Sequence, residues 1–351
     1  MKLTIIKTNC TNPYDNLAAE EYLTFHAGED EVILFLWQNA HTVVIGKNQN
    51  PWRECNVEQI KADNAFLARR MSGGGAVYHD MGNLNFTFIA RDGLFDVGRQ
   101  TDVILLACRL MGINAGKTGR NDLTVENRKF SGHAYYSSNG FNYHHGTIMM
   151  NVSGDALLKY LNVSESKLQS KGVASVRSRV TNLIDHIPEE KLRDIYGQDT
   201  GTSATDSADT TETDIIRTAQ SVSAMQDALV RAAEREYGCK AVYEELPEIP
   251  SELKEKYASE EWRLGSRIPF STVIEHRFDW GGVEIQLEMR GEFIKRCRIY
   301  SDSLETDLFG QIQELLPGCK YDAGEILGLR LPHGSSAAGY EILELIASSI
   351  E

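Results

Sequence analysis

Amphipathic and wholly apolar stretches alternate along the N-terminal half of the chain. Between Asn16 and Ala27, Leu17, Ala18, Tyr22 and Leu23 recur at helical spacing, which predicts an early amphipathic helix. The runs EVILFLW (31–37) and HTVVIG (41–46) are β-branched and apolar with Gln38-Asn39-Ala40 between them, and they predict two strands. AFLARR (65–70) and NLNFTFIA (83–90) predict two more, on either side of a glycine-rich stretch. TDVILLACRLMG (101–112) predicts a helix and IMMNV (148–152) a strand, and a further helix is expected near 216–237. Beyond residue 263, STVIEHRFDW, GGVEIQLEM and FIKRCRIYSD read as strands followed by helices. Short strands interleaved with helices predict an α/β fold, a mixed and largely antiparallel sheet sandwich, with a small α+β unit at the C-terminal end.

The polar segments divide this pattern. Residues 198–214 are rich in Thr, Ser and Asp and hold almost nothing apolar, so a disordered or loosely held surface insertion is expected there. LPEIPSELKEKYASEEW (246–262), with two prolines and dense charge, reads as a connection. A large domain over 1–245, a connection over 246–262 and a small domain over 263–351 follow, a division that suits 351 residues. No internal repeat is visible. No apolar run approaches the roughly 20 residues needed to cross a bilayer. The opening MKLTIIKTNC lacks the features of a signal peptide, so a cytoplasmic protein is expected.

Charge and cysteine content narrow the function. A net charge of −14 argues against general nucleic-acid binding, which requires a basic face. Residues 61–180 nevertheless carry 15 Lys/Arg against 9 Asp/Glu, whereas 185–260 carry 8 against 18, so the basic middle suggests a site for a small anion. The six cysteines are scattered without a Cys-x-x-Cys pair, which predicts reduced thiols and no zinc site. None lies between Cys108 and Cys239.

Four blocks could carry chemistry. Arg69-Arg70-Met71-Ser72-Gly73-Gly74-Gly75-Ala76-Val77-Tyr78-His79-Asp80 sets three glycines beside an arginine: the backbone N–H groups can converge on an anion and the guanidinium offers a bidentate fork. Three glycines alone are equally a flexible turn. In Asp122-Leu123-Thr124-Val125-Glu126-Asn127-Arg128-Lys129, a two-residue turn at Glu126-Asn127 places Thr124 opposite Lys129, with Asp122 on the same face. A carboxylate for a divalent cation would then face an ammonium for phosphate; the alternative is a surface ion pair. His144 and His145 are adjacent on a strand and point to opposite faces, so at most one faces the site. Lys171, Arg177 and Arg179 form a basic loop able to close over an anionic intermediate, although a solvated charge run has the same composition. GINAGKT (112–118) is one residue short of a P-loop and follows a helix, and is set aside.

Taken together, RRMSGGGAVYHDMGNLNFTF, GRNDLTVENRKFSGHAYY, FNYHHGTIMMNV and KGVASVRSRVTNL resemble, in order, the motifs of the bacterial lipoate–protein ligase A family, within the biotin/lipoate ligases. The resemblance begins at ILFLWQNAHTVVIGKNQNPWRECN (33–56), extends through FSTVIEHRFDWGGVEI (270–285) to YSDSL (300–304), and implies the ligase fold with a small accessory domain. It implies ATP and Mg²⁺, with lipoate activated as lipoyl-AMP and transferred to a lysine of a carrier domain. The carriers implied are the lipoyl domains of 2-oxoacid dehydrogenase acyltransferase subunits and the glycine cleavage carrier protein. Residue by residue, it implies Lys129 as the catalytic contact to ATP and the lipoate carboxyl. Arg70, Gly73, Gly74, Gly75, Ala76, Val77, Tyr78 and Asn83 would bind nucleotide, and Arg70 and His145 would join Lys129 at lipoate. Asp122 would sit near the metal, and Lys171, Arg177 and Arg179 would form a mobile adenylate loop. A carrier-to-carrier octanoyl or lipoyl transferase would need a cysteine nucleophile in the stretch that lacks one, and a biotin ligase would show a GRGR-type loop, absent here. A non-catalytic lipoyl-domain-binding protein would be expected to have lost Arg70 or Lys129, and both are present.

Overall fold

The seven residues of β2 (Glu31–Trp37) show why the sequence reads as continuously apolar: the strand is covered on both faces. In the computed structural model, which describes residues 1–119, 121–162, 179–197, 212–332 and 336–350, its side chains divide by parity. Val32, Leu34 and Leu36 enter one core with the helices Val97–Leu110 and Glu212–Tyr237. Ile33, Phe35 and Trp37 enter another with the helix Pro13–His26. Each such side chain, fully buried, stabilises the fold by about 1.5–3 kcal/mol, so a one-residue slip would exchange two complete cores.

β2 lies parallel to β1 (Lys2–Lys7) and antiparallel to β6 (Asn83–Arg91). They belong to an eight-stranded mixed sheet of order β11-β1-β2-β6-β10-β9-β8-β7. Its remaining members are β7 (Gly116–Thr118), β8 (Asp122–Val125), β9 (Arg128–Ser138), β10 (Phe141–Met149) and β11 (Ala241–Glu244). β3 (Thr42–Ile45) does not continue this sheet from β2. It forms a second, three-stranded sheet between β4 (Phe66–Arg69), to which it runs parallel, and β5 (Val77–His79), to which it runs antiparallel. The turn between β2 and β3 ends at His41 with φ 42°, where the chain leaves one sheet for the other.

Two local expectations change. The strand expected at 148–152 is the end of β10, which already starts at Phe141 because Phe141 to Met149 pair with β6. The helix expected from 216 begins at Glu212, so residues 212–214 of the expected insertion are helical, with Glu212 and Asp214 favourably placed in its first turn. Residues 198–211 lie outside the described residues. The P-loop-like GINAGKT contributes β7, an edge strand.

Residues 246–262 include the helix Ser251–Ala258, which packs on the first helix. Buried Tyr257 donates to Glu21 Oε2 at 2.7 Å, and Lys256 pairs with the same carboxylate at 2.6 Å. Beyond it, β12 (Thr272–Phe278), β13 (Gly281–Arg290) and β14 (Phe293–Ser301) form an antiparallel sheet. This C-terminal unit has its own core, including Ile285, Phe309, Ile312 and Ile342. It touches the glycine-rich stretch directly: Gly74 N–H donates to Ser303 O at 2.9 Å, and a Cβ on Gly73 would stand 2.2 Å from that oxygen.

Candidate active site

The two N-terminal sheets enclose a cavity of about 240 Å³. β5 alternates into it: Val77 and His79 line the cavity, whereas Tyr78 points away and stacks on Tyr160 beside His41. β9 and β10 supply the opposite wall through Lys129, Gly132, His133, Ala134, His145, Gly146 and Thr147, and Leu17, Trp37 and Asn85 reach in from the first helix, β2 and β6. No cysteine lines it. Cys55, Cys108 and Cys297 are buried elsewhere with thiols pushed up to about 12 by desolvation.

Lys129 sits at the mouth because of its hairpin. Glu126 and Asn127 have φ of 50° and 62°, the two left-handed residues of a tight turn, and Thr124 pairs with Lys129. A bulge follows, so Gly132 stands opposite Asp122, and Asp122 Oδ1 lies 2.7 Å from Lys129 Nζ. The contact is an ion pair outside good hydrogen-bond angles. Both side chains are more than a third exposed, so solvent keeps the pair weak and exchangeable. Gly132 makes room for the lysine, since a Cβ there would lie 2.9 Å from Nζ. The backbone of Lys129 is tied as well: its N–H donates to Arg179 O at 2.7 Å and its carbonyl accepts from Thr181 N at 2.9 Å. Arg179, at the end of the expected adenylate loop, is therefore anchored beside the lysine, while Lys171 and Arg177 lie outside the described residues.

The bidentate fork that the motif offers to an anion is engaged within the protein at Arg70. It touches the cavity wall but is 6% exposed, and burial pulls its guanidinium down to about 10, still charged at neutral pH. Its donors go to Ser72 Oγ and to the carbonyls of Val44, Gly73 and Gly75, so the side chain frames the glycine loop. Gly74, Gly75 and Ala76 line the cavity. Gly73 packs instead on Ser303 and Leu304, and Asn83, 1% exposed, bonds Asn85 behind the wall.

Behind this wall lies a polar network that the sequence did not indicate. His145 donates Nδ1–H to Glu20 Oε1 at 2.8 Å, and its Nε2 faces Ser72 Oγ at 2.7 Å; Glu20 also accepts from Thr87, which accepts from Trp37 Nε1. Glu20 is 1% exposed on the apolar face of a helix, a position where only these partners make a carboxylate tolerable. His144, on the other face of β10, bonds Gln100 and His133. Desolvation, reinforced by nearby positive groups, pulls His79 and His133 down to about 3, so both are neutral near pH 7.

Among the described residues no three His, Cys, Asp or Glu side chains gather to hold a metal. Asp122 is a carboxylate placed at the mouth, and Mg²⁺ commonly uses one or two protein carboxylates together with substrate phosphates. The donor set fits an ion carried in with a nucleotide and not a resident one.

A cavity between two sheets, with an ammonium at its mouth and a glycine loop along one wall, defines the class, and the chain belongs to the lipoyl protein ligases. Residues 12–196 match the Lipoyl protein ligase A/B catalytic domain, and residues 267–329 match the Bacterial lipoate protein ligase C-terminus. Lipoate-protein ligase A of Psychrobacter cryohalolentis is 36% identical over 338 residues, 93% of this chain and 91% of the relative. The crystal structure of P. falciparum LipL1 in complex with lipoate aligns with a TM-score of 0.75 at 25% identity, covering 99% of both chains. A bi-partite lipoate protein ligase from Thermoplasma acidophilum, described with its E2 lipoyl domain, shares the fold with a TM-score of 0.60 at 23% identity, over 77% of this chain and 99% of its own.

Proposed function

We propose that this protein is an ATP-dependent lipoate–protein ligase working in two half-reactions in the cavity of β5, β9 and β10. A carboxylate oxygen of lipoate attacks the α-phosphorus of ATP; the new P–O bond forms as the bond to pyrophosphate breaks, leaving lipoyl-AMP. The neutral amine of a carrier lysine then attacks the acyl carbon, the C–O bond to AMP breaks, and the amine loses a proton as the amide forms. The observation that carries the reading is Lys129 Nζ at the cavity mouth, beside Asp122 and across the cavity from the glycine loop. There one ammonium reaches both a carboxylate lying in the cavity and a phosphate outside it, combining alignment with charge stabilisation.

Arg70 acts here by holding the carbonyls of Gly73 and Gly75, which frames the loop so that Gly75 and Ala76 can present their N–H groups to the nucleotide. His145 fixes Ser72 at the base of that loop. Asp122 would hold a magnesium ion brought by the ATP phosphates, which would supply further charge neutralisation. The catalytic unit is assigned to 1–245, the connection to 246–262 and the accessory domain to 263–351. The acceptors are lipoyl domains of the 2-oxoacid dehydrogenase acyltransferases and the glycine cleavage carrier protein, in the cytoplasm. No described helix is long and apolar enough to cross a membrane.

The test is ATP–pyrophosphate exchange with the purified protein. Exchange that depends on lipoate is expected. Acyl transfer between carriers without ATP, or exchange with biotin alone, overturns the reading.

A further inference from the structure

β9 changes its alternation once, directly beside Lys129. The turn at Glu126 and Asn127 sets Thr124 opposite Lys129 at one end, and at the other His133 N–H donates to Asn121 O at 2.9 Å. Between these ties the incoming chain offers two residues, Asp122 and Leu123, whereas β9 offers three, Phe130, Ser131 and Gly132. One residue of β9 is therefore extra, which makes a bulge. Ser131 takes the place opposite Leu123 and Gly132 the place opposite Asp122, so Phe130 is the extra residue. The same ladder could close with Phe130 opposite Leu123 and Ser131 opposite Asp122.

The two arrangements differ at the lysine amine. As built, Phe130 and Ser131 both turn to the helix-covered side of the sheet, while Lys129, Gly132 and Ala134 line the cavity. A Cβ at position 132 would stand 2.9 Å from Lys129 Nζ, so a serine opposite Asp122 would crowd the amine away from that carboxylate. Burial of Phe130 does not decide between them, because opposite Leu123 it would enter the same core. The choice falls to Ser131.

A buried chain of hydrogen bonds holds this serine. Ser131 Oγ lies 3.0 Å from His133 Nε2, and His133 Nδ1 lies 2.9 Å from His144 Nε2. His144 Nδ1 in turn lies 3.0 Å from Gln100 Oε1, on the helix Val97–Leu110. All four residues are buried, and the His133 ring packs edge-on against Phe86 of the helix-covered core. Desolvation keeps both rings neutral, so each carries one N–H and one acceptor nitrogen. With Gln100 Oε1 accepting from His144, His144 accepts from His133, and His133 accepts from the Ser131 hydroxyl. Each link then has a single proton. Turning Ser131 to the cavity would leave His133 Nε2 buried without a donor, which a satisfied network resists.

We infer that His133 and His144 are positioning residues for Lys129: by holding Ser131 on the helix-covered side they place the bulge at Phe130, so that a glycine lies beneath the amine. The inference rests on the lipoate ligase reading. His144→Leu cuts the chain, whereas His144→Gln keeps a donor and an acceptor in its place. With the full-length His144→Leu protein, kcat of lipoate-dependent pyrophosphate exchange should fall about tenfold, while transfer from supplied lipoyl-AMP to a lipoyl domain changes by less than about twofold. His144→Gln should recover most of the exchange. Gly132→Ser, which puts a side chain beneath the amine with the histidines intact, should show the same split between the half-reactions. If His144→Leu does not fold, Ser131→Ala deletes only the hydroxyl and carries the same expectation. General loosening of the fold would lower both half-reactions together. That outcome, or unchanged exchange in the folded variants, overturns the positioning role and leaves the ligase reading standing. Absence of lipoate-dependent exchange in the unaltered protein overturns the ligase reading and this inference with it.

Discussion

Replacing Arg70 with alanine separates two jobs that its motif confounds: contact with phosphate and support of the glycine loop. The guanidinium makes five hydrogen-bond contacts of 2.7–3.2 Å to four acceptors: Ser72 Oγ and the carbonyls of Val44, Gly73 and Gly75. At 6% exposure, water cannot replace it without opening the loop. Alanine therefore strands three buried acceptors and the part-buried carbonyl of Gly75, and removes a positive charge whose field reaches Glu20. Removing one partner from a buried charged network costs about 3–5 kcal/mol. At about 2–4 °C per kcal/mol for a unit of this size, the melting temperature should fall by about 6–20 °C, and adenylation should fall with it as the loop loses its frame. Lysine should rescue little, because one compact ammonium cannot reach four acceptors spread around a planar fork. Thermal unfolding followed by circular dichroism, alongside pyrophosphate exchange, reads both effects. An unchanged melting temperature with exchange abolished would refute the framing role and return Arg70 to direct phosphate contact.

Other expectations follow from the same geometry. Lys129→Ala should lower adenylation by orders of magnitude with little loss of stability, since the side chain is 39% exposed. Supplied lipoyl-AMP should restore carrier transfer better than adenylation, and a mutant that forms lipoyl-AMP at the normal rate would remove Lys129 from the mechanism. His79 and His133 sit at about 3 against an ordinary 6.5, so the unfolded chain takes up their protons first. Their stabilisation is complete above about pH 6.5 and is lost as pH falls towards 3, by up to about 1.4 kcal/mol per pH unit for each ring. A urea midpoint that stays flat between pH 7 and 5 would contradict this. Gly73→Ala places a Cβ 2.2 Å from Ser303 O and should push the C-terminal unit off the loop, read as a larger radius of gyration in solution scattering. An unaltered scattering curve would show that the contact yields locally.

The parts of the fold legible in the sequence are those governed by short-range pattern. β2 and β6 follow from apolar runs, and the register of Thr124 against Lys129 follows from a two-residue turn whose geometry leaves few alternatives. The orientation of β5 was not legible: alternation allows Val77 and His79 to face inward or Tyr78 alone, and only packing on Tyr160, more than 80 residues away in sequence, decides it. Glu20 is one of two adjacent acids in the sequence, and nothing local marks it as buried. Its burial depends on Thr87 and His145, contributed by strands far along the chain. Trp37 and Asn85 could have been found, since they are register partners on β2 and β6 and share a face with Thr87. The parallel placement of β11 beside β1 joins segments more than 230 residues apart and left no local signal.

The bond from Gly74 N–H to Ser303 O has a consequence for ligand competition. A glycine-loop amide that a phosphate oxygen would seek is already engaged, and its occupant is a carbonyl of the same chain, present at the high effective concentration that tethering gives. With a nucleotide placed along this loop as proposed, the C-terminal segment would be a built-in rival for one anion position. Linkage makes the rivalry mutual: whatever factor the Ser303 contact takes from nucleotide affinity, a nucleotide that captures Gly74 takes from the grip of the C-terminal unit.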